Sequence, residues 1–111
     1  MADTKKVDIL IAGQGASSFS AALYSARYQM STLIASEQFG GETAIGGDIE
    51  NYPGFPSIDG YDLMLKMKEQ VDLLEVPIHH SNIVAVEKSG EGFITTLQDG
   101  TKVESLSVIL A

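Results

Sequence analysis

At 111 residues the chain is long enough for one domain with a real core, and its 44% hydrophobic and 20% charged residues fit a globular protein. A formal net charge of -8 argues against nucleic acid and anionic membrane surfaces as partners. The absence of cysteine removes disulfides, thiolate metal sites and cysteine nucleophiles from these residues.

Met1-Ala2-Asp3-Thr4-Lys5-Lys6 leads directly into a strand-like segment without the apolar stretch of a secretory leader. Apolar runs elsewhere are only a few residues long, too short to span a bilayer, so a cytoplasmic location is expected. Val7 to Ala12 is a β-branched apolar run, the pattern of a buried parallel strand. Gly13-Gln14-Gly15 interrupts it. From Ala16 the apolar period changes, and Phe19, Leu23, Ala26 and Met30 fall on one helical face. Thr32 to Ala35 reads as a second buried strand, completing the opening of a βαβ unit.

Ser36 to Gly60 holds six of the eleven glycines and two of the three prolines. It reads as a long ordered connection, because Phe39, Ile45, Ile49, Tyr52 and Phe55 need somewhere to pack. Asp59 is placed to cap a helix over about Tyr61 to Glu75, with Leu63, Met67, Val71 and Leu74 as its apolar stripe and Lys66, Glu69 and Asp72 toward water. Pro77 ends it. A short strand over Ile78 to His80 follows, then strands over Ile83 to Glu87, Phe93 to Gln98 and Lys102 to Leu106, with turns at Gly90-Glu91-Gly92 and Asp99-Gly100. Ser107 to Ala111 is apolar again and is expected to rejoin the parallel sheet. The fold class is therefore α/β: a three-layer, Rossmann-like nucleotide-binding domain, with a parallel sheet, helices on one face and a three-stranded antiparallel meander on the other.

Four features carry chemistry. Gly13-Gln14-Gly15-Ala16-Ser17-Ser18 lies between a strand and a helix, where two glycines allow a tight turn and close approach of a pyrophosphate to the helix N-terminus. Ser18 stands where Gly or Ala sets helix–strand packing, so somewhat looser packing is expected. Glu37, 24 residues after Gly13, can accept hydrogen bonds from a ribose, or is an exposed strand-end charge; Ser36 is a weaker candidate for the same contact. Gly40-Gly41-Glu42-Thr43 can bring backbone N–H groups to a ligand. Glu50-Asn51-Tyr52-Pro53-Gly54-Phe55 presents Asn51, donor and acceptor at once, on a fixed turn. By chemistry alone the last two are equally ordinary turns. His79 and His80 point to opposite faces of a strand and cannot chelate one metal together, so no metal site is expected. Neither histidine has an obvious carboxylate partner, and Ser17-Ser18 does not make G-x-S-x-G, so a hydrolase reading has no base.

In their order along the chain these features resemble the FAD-binding part of thioredoxin reductases, from about Lys6 to Ala111. The elements are the two-glycine turn, Ala21-Ala22-Leu23-Tyr24-Ser25-Ala26-Arg27, the double glycine, Glu50 to Phe55, and Leu63-Met64 with Lys68-Glu69-Gln70. Glu50 to Phe55 is the most specific of them. The resemblance implies FAD, with its pyrophosphate at Gln14, Gly15, Ala16 and Ser17. It puts Glu37 and Gln38 on the ribose and adenine side, and the Ile83 backbone at the adenine. Gly40, Gly41, Glu42 and Thr43 would reach toward the flavin, which Asn51 would contact. The family usually has Gln where this chain has Glu42; an ionised carboxylate there disfavours added negative charge on the flavin and cannot donate a hydrogen bond. It usually has Pro-Ala-Gly or Pro-Ala-Ala where this chain has Ala16-Ser17-Ser18.

The implied activity of the complete family is electron transfer from NADPH through FAD to a disulfide of a thioredoxin-like partner. The NADPH-binding domain and the Cys-x-x-Cys are not in this sequence. Residues 1–111 are therefore expected to be a single, truncated FAD-binding domain that is not catalytically complete alone, with no catalytic residue of its own. The alternatives are a stand-alone nucleotide-binding module, a ligand-free or designed fragment that self-associates as a homo-oligomer, or part of a ferredoxin–NADP reductase or of an alkyl hydroperoxide reductase flavoprotein.

Overall fold

In the computed structural model the described residues are 4–111, so the lead-in Met1–Asp3 lies outside them. Thr4–Ala12 (β1), Thr32–Ala35 (β2), Ile78–His79 (β5), Ile83–Ser89 (β6), Gly92–Leu97 (β7) and Lys102–Leu110 (β8) form one six-stranded sheet in the order β5-β2-β1-β8-β7-β6. β1, β2, β5 and β8 run parallel, while β8, β7 and β6 form the antiparallel meander. The two strands expected over Lys102 to Leu106 and Ser107 to Ala111 are one. β8 pairs with β7 over Lys102 to Ser105 and with β1 from Thr4↔Lys102 to Ala12↔Leu110, so the meander grows directly from the parallel sheet.

Helices Ala16–Arg27 (α1) and Gly60–Leu73 (α3) cover one face. Ile11 and Ile34 from the strands meet Phe19, Ala22, Leu63, Met64 and Val71 there, all buried. Burying each large side chain contributes roughly 1.5–3 kcal/mol, so this cluster is the main anchor of both helices. The opposite face buries Leu10, Leu33 and Ala35 against Leu97 and Val103 of the meander. Val7 and Leu10 both serve this second cluster although three residues apart, as do Val103 and Val108, five apart. Strict alternation would send the members of each pair to opposite faces, so the face each strand turns to this cluster changes along its length, as strand twist allows.

The helix stripes shift slightly from expectation. Met30 lies beyond the end of α1 and is 40% exposed, while Ala22 takes the fully buried position. In α3, Met64 is fully buried and Leu74, the C-cap, is exposed. Asp59 caps α3 as expected, its carboxylate accepting hydrogen bonds from the Tyr61 and Asp62 N–H groups. The 36–60 connection carries structure that periodicity did not reveal: a single helical turn, Gly41–Ala44 (α2), and a ribbon of Asp48–Ile49 (β3) against Ile58–Asp59 (β4). Phe39, Ile49 and Phe55 pack against the helix-side cluster, but Ile45 is 73% exposed.

Candidate functional site

The Gly13–Ser18 turn is wedged at the C-terminal end of the sheet. Gly13 N–H donates to the Ala35 carbonyl (3.1 Å), and Ala111 N–H donates to the Ala12 carbonyl (3.0 Å). Gly13 has φ +115°, and a Cβ there would sit 2.5 Å from the Ala111 oxygen and 2.7 Å from Ser18 Oγ. Only glycine fits. Ser18 is fully buried against this bare Cα, so the expected loosening does not occur: the hydroxyl occupies space that the missing Cβ leaves. The cost is polar, because Ser18 Oγ is buried and finds no hydrogen-bond partner among the described residues.

Gln14 is buried and acts as a strut. Its Nε2 donates to the Ser36 carbonyl (2.8 Å), and its own carbonyl accepts from Gly40 N–H (2.8 Å). These two bonds draw the end of β2 and the double glycine beside the fingerprint. Gly40 and Gly41 both have positive φ, +87° and +55°, and a Cβ on Gly41 would lie 3.7 Å from the Gly15 Cα. Phe39 sits tilted against Phe19 and edge-to-face with Tyr61, with centroids 6.0 and 5.6 Å apart, which holds the loop between them. Gly60, whose Cβ would collide with the Thr43 carbonyl, lets α3 press against α2.

Gly15 differs from these glycines. It is the N-cap of α1, and among the described residues no side chain caps the helix and a Cβ built on Gly15 meets nothing within 4 Å. The N–H groups of Ala16 and Ser17 in the first turn of α1 thus lie beside open space at Gly15, near the Gly41 backbone, with no side chain capping them. That is the arrangement an anionic pyrophosphate requires, with fixed donors and a positive helix end. On this test the residues fit a dinucleotide.

Glu37, just past β2, is tied to a partner the sequence did not reveal. Its N–H donates to Asn82 Oδ1 (2.9 Å), and Asn82 Nδ2 donates to Glu37 Oε2 (3.2 Å). Ile83 follows Asn82 directly at the start of β6, so Glu37, Gln38 and Ile83 gather at one end of the sheet, while Gln38 stays exposed. Asn51 is not drawn in. It is exposed in the 50–57 tip, where a shallow hollow of 580 Å³ is lined only by Glu50 to Pro56. Glu42 is exposed and Thr43 half-buried, their carbonyls serving the local turn. An open cleft of 430 Å³ lies around Lys6–Asp8, Phe93 and Glu104–Leu106, and none of the residues singled out above lines it.

The expectation that neither histidine has a carboxylate partner is overturned. His79 Nε2 lies 2.6 Å from Asp99 Oδ2, and Thr101 N–H donates to Asp99 Oδ1 (2.9 Å). The hydrogen bond to His79 first, and then that from Thr101, hold the Asp99 carboxyl down from 3.8 to about 2. The two residues stand 20 positions apart and meet only because the β7–β8 turn folds back beside β5.

A parallel strand, a two-glycine turn, a helix opening onto free space and an acidic residue after the next strand define a Rossmann-like dinucleotide-binding domain. No protein-family model matches the chain. It is 35% identical over 106 residues to a thioredoxin reductase of Mycolicibacterium smegmatis, covering 94% of this chain and 34% of that protein. It is 36% identical over 104 residues to one of Rickettsia bellii, covering 92% of this chain and 34% of that protein. The crystal structure of thioredoxin reductase from Streptococcus pyogenes superimposes with a TM-score of 0.89 at 33% identity, over 95% of this chain and 34% of that one. The relatives matched in sequence and in fold are thioredoxin reductases. The chain spans about a third of the length of these relatives.

Proposed function

We propose that residues 1–111 form a single FAD-binding domain working as part of a flavoprotein oxidoreductase that passes electrons from NADPH through FAD to the disulfide of a thioredoxin-like partner. The observation that carries this reading is Gly15, whose Cβ direction is empty beside an uncapped helix N-terminus and the Gly40–Gly41 backbone. In this reading Gly13 makes the turn, and Gln14, Gly15, Ala16 and Ser17 receive the pyrophosphate, with Ser18 packing beneath. Glu37 and Gln38 take the ribose, and the Ile83 backbone meets the adenine. Gly40, Gly41, Glu42 and Thr43 lead toward the flavin, which Asn51 contacts once the 50–57 tip closes on it. The flavin supplies the electron-transfer chemistry when bound; these residues bind and orient it. The chain has no cysteine, so the thiol pair of such a reaction must come from outside these residues. The cytoplasm, where thiols are kept reduced, is the compartment that suits it.

Gel filtration of the chain mixed with FAD tests the reading. The expected result is about one flavin retained per chain and none for Gly15→Val; elution without flavin overturns it.

A further inference from the structure

Resting on the FAD reading above, we propose that Asn82 is a positioning residue for adenosine-ribose recognition, clamping Glu37 so that one carboxylate oxygen is held toward the ribose diol. Asn82 grips Glu37 at two points, accepting from its backbone N–H at 2.9 Å and donating to Oε2 at 3.2 Å. Two bonds from one planar amide fix both the backbone and the side-chain direction of an otherwise exposed residue. Asn82 is itself held, because its carbonyl accepts from Gln98 N–H at 2.7 Å, at the end of β7. A chain of hydrogen bonds therefore runs from the meander to the carboxylate, its Asn82–Glu37 link joining residues 45 positions apart. Beside it, Ser36 N–H and Ser81 N–H both donate to the His79 carbonyl, pinning the end of β2 and the β5–β6 connection to each other.

The geometry divides the labour within Glu37. Oε2 is occupied by Asn82, and Oε1 takes part in none of these hydrogen bonds. A free glutamate would lose side-chain entropy on gripping a ribose hydroxyl; a clamped one has already lost it. The held negative charge also disfavours a phosphate on the 2′ position, so the site selects an unsubstituted ribose.

The test measures affinity of the whole chain for FAD, and for FAD carrying 2′-deoxyadenosine, by flavin fluorescence titration. Asn82→Ala and Glu37→Gln are each expected to weaken FAD binding about tenfold, the loss typical of one hydrogen bond to a charged group. The double variant is expected to be no weaker than the worse single one, and affinity for the deoxy analogue to change little in any of them. Additive losses, or equal losses on both ligands, overturn the proposal. Asn82→Asp keeps the acceptor for Glu37 N–H but sets a carboxylate against Oε2. It guards against misfolding of the alanine variant, and is expected to bind FAD as weakly; unchanged affinity means that Asn82 serves only the backbone. A wild-type chain that takes up no FAD overturns the cofactor reading and this inference with it, whereas FAD uptake unaffected by Asn82→Ala overturns this inference alone.

Discussion

The Gly13–Ser18 turn and the Glu50–Phe55 tip are built in opposite ways. The first is the less specific signature in sequence and the more finished in structure. Gly13 is locked between the ends of β2 and β8, Gln14 holds Ser36 and Gly40, and Ser18 is fully buried. The second is the more specific signature, yet Asn51 is exposed and its hollow is lined by its own segment. A site made of backbone N–H groups is assembled by the same hydrogen bonds that close the sheet. A site made of one side chain on a tip has its backbone turn set locally, but the side chain needs an opposing surface to fix it. Pre-organisation in this domain is therefore concentrated at the proposed pyrophosphate end.

That contrast is sharpest in the response to substitution. Gly13→Ala forces a Cβ into the Ala111 carbonyl and Ser18 at a positive φ, and is expected to lower unfolding stability by about 3 kcal/mol in urea titration. Gly15→Val, two residues away, has room for its side chain. It is expected to leave unfolding stability within about 1 kcal/mol of wild type while reducing FAD affinity roughly a hundredfold, because the valine fills the ligand's space. If Gly15→Val unfolds the chain, the two glycines are alike and the contrast fails. Asn51→Ala is expected to leave stability unchanged and to weaken FAD binding about tenfold, read by fluorescence titration. A large stability loss would show that the tip is already anchored. Ser18→Ala removes a buried hydroxyl without a partner and is expected to raise stability by about 1 kcal/mol.

The smallest effect lies at the β7–β8 turn, where Asp99 meets His79. The folded Asp99 carboxyl titrates below its unfolded value, at about 2 against 3.8. Its contribution is present above the unfolded value and is lost as pH falls through the folded one. Between those values the unfolded state binds more protons, so stability falls as acid is added. Asp99→Asn is expected to flatten that limb of an acid-unfolding curve by removing stability at neutral pH that the wild type loses in acid, and the loss is small, as suits a pair so open to solvent.

Much of this protein was legible in its sequence because the relevant physics is local. A β-branched run makes a strand, a change of apolar period makes a helix, Asp59 caps one, and two glycines break a strand where a helix must begin. The meander's turns were readable for the same reason. Four things were not. The continuity of β8 depends on pairing with two strands at once, and local signals do not distinguish one long strand from two short ones. The burial of Ser18 depends on the Cβ that Gly13 lacks. The pairing of His79 with Asp99 and that of Asn82 with Glu37 join residues 20 and 45 positions apart. Side-chain pairs at such separations are set by sheet order and register, which no short window of residues contains. The sequence by itself thus determined that a two-glycine turn joins a strand to a helix, and where; only the tertiary structure decided which side chains are held beside it, because holding requires partners that the folded sheet brings together.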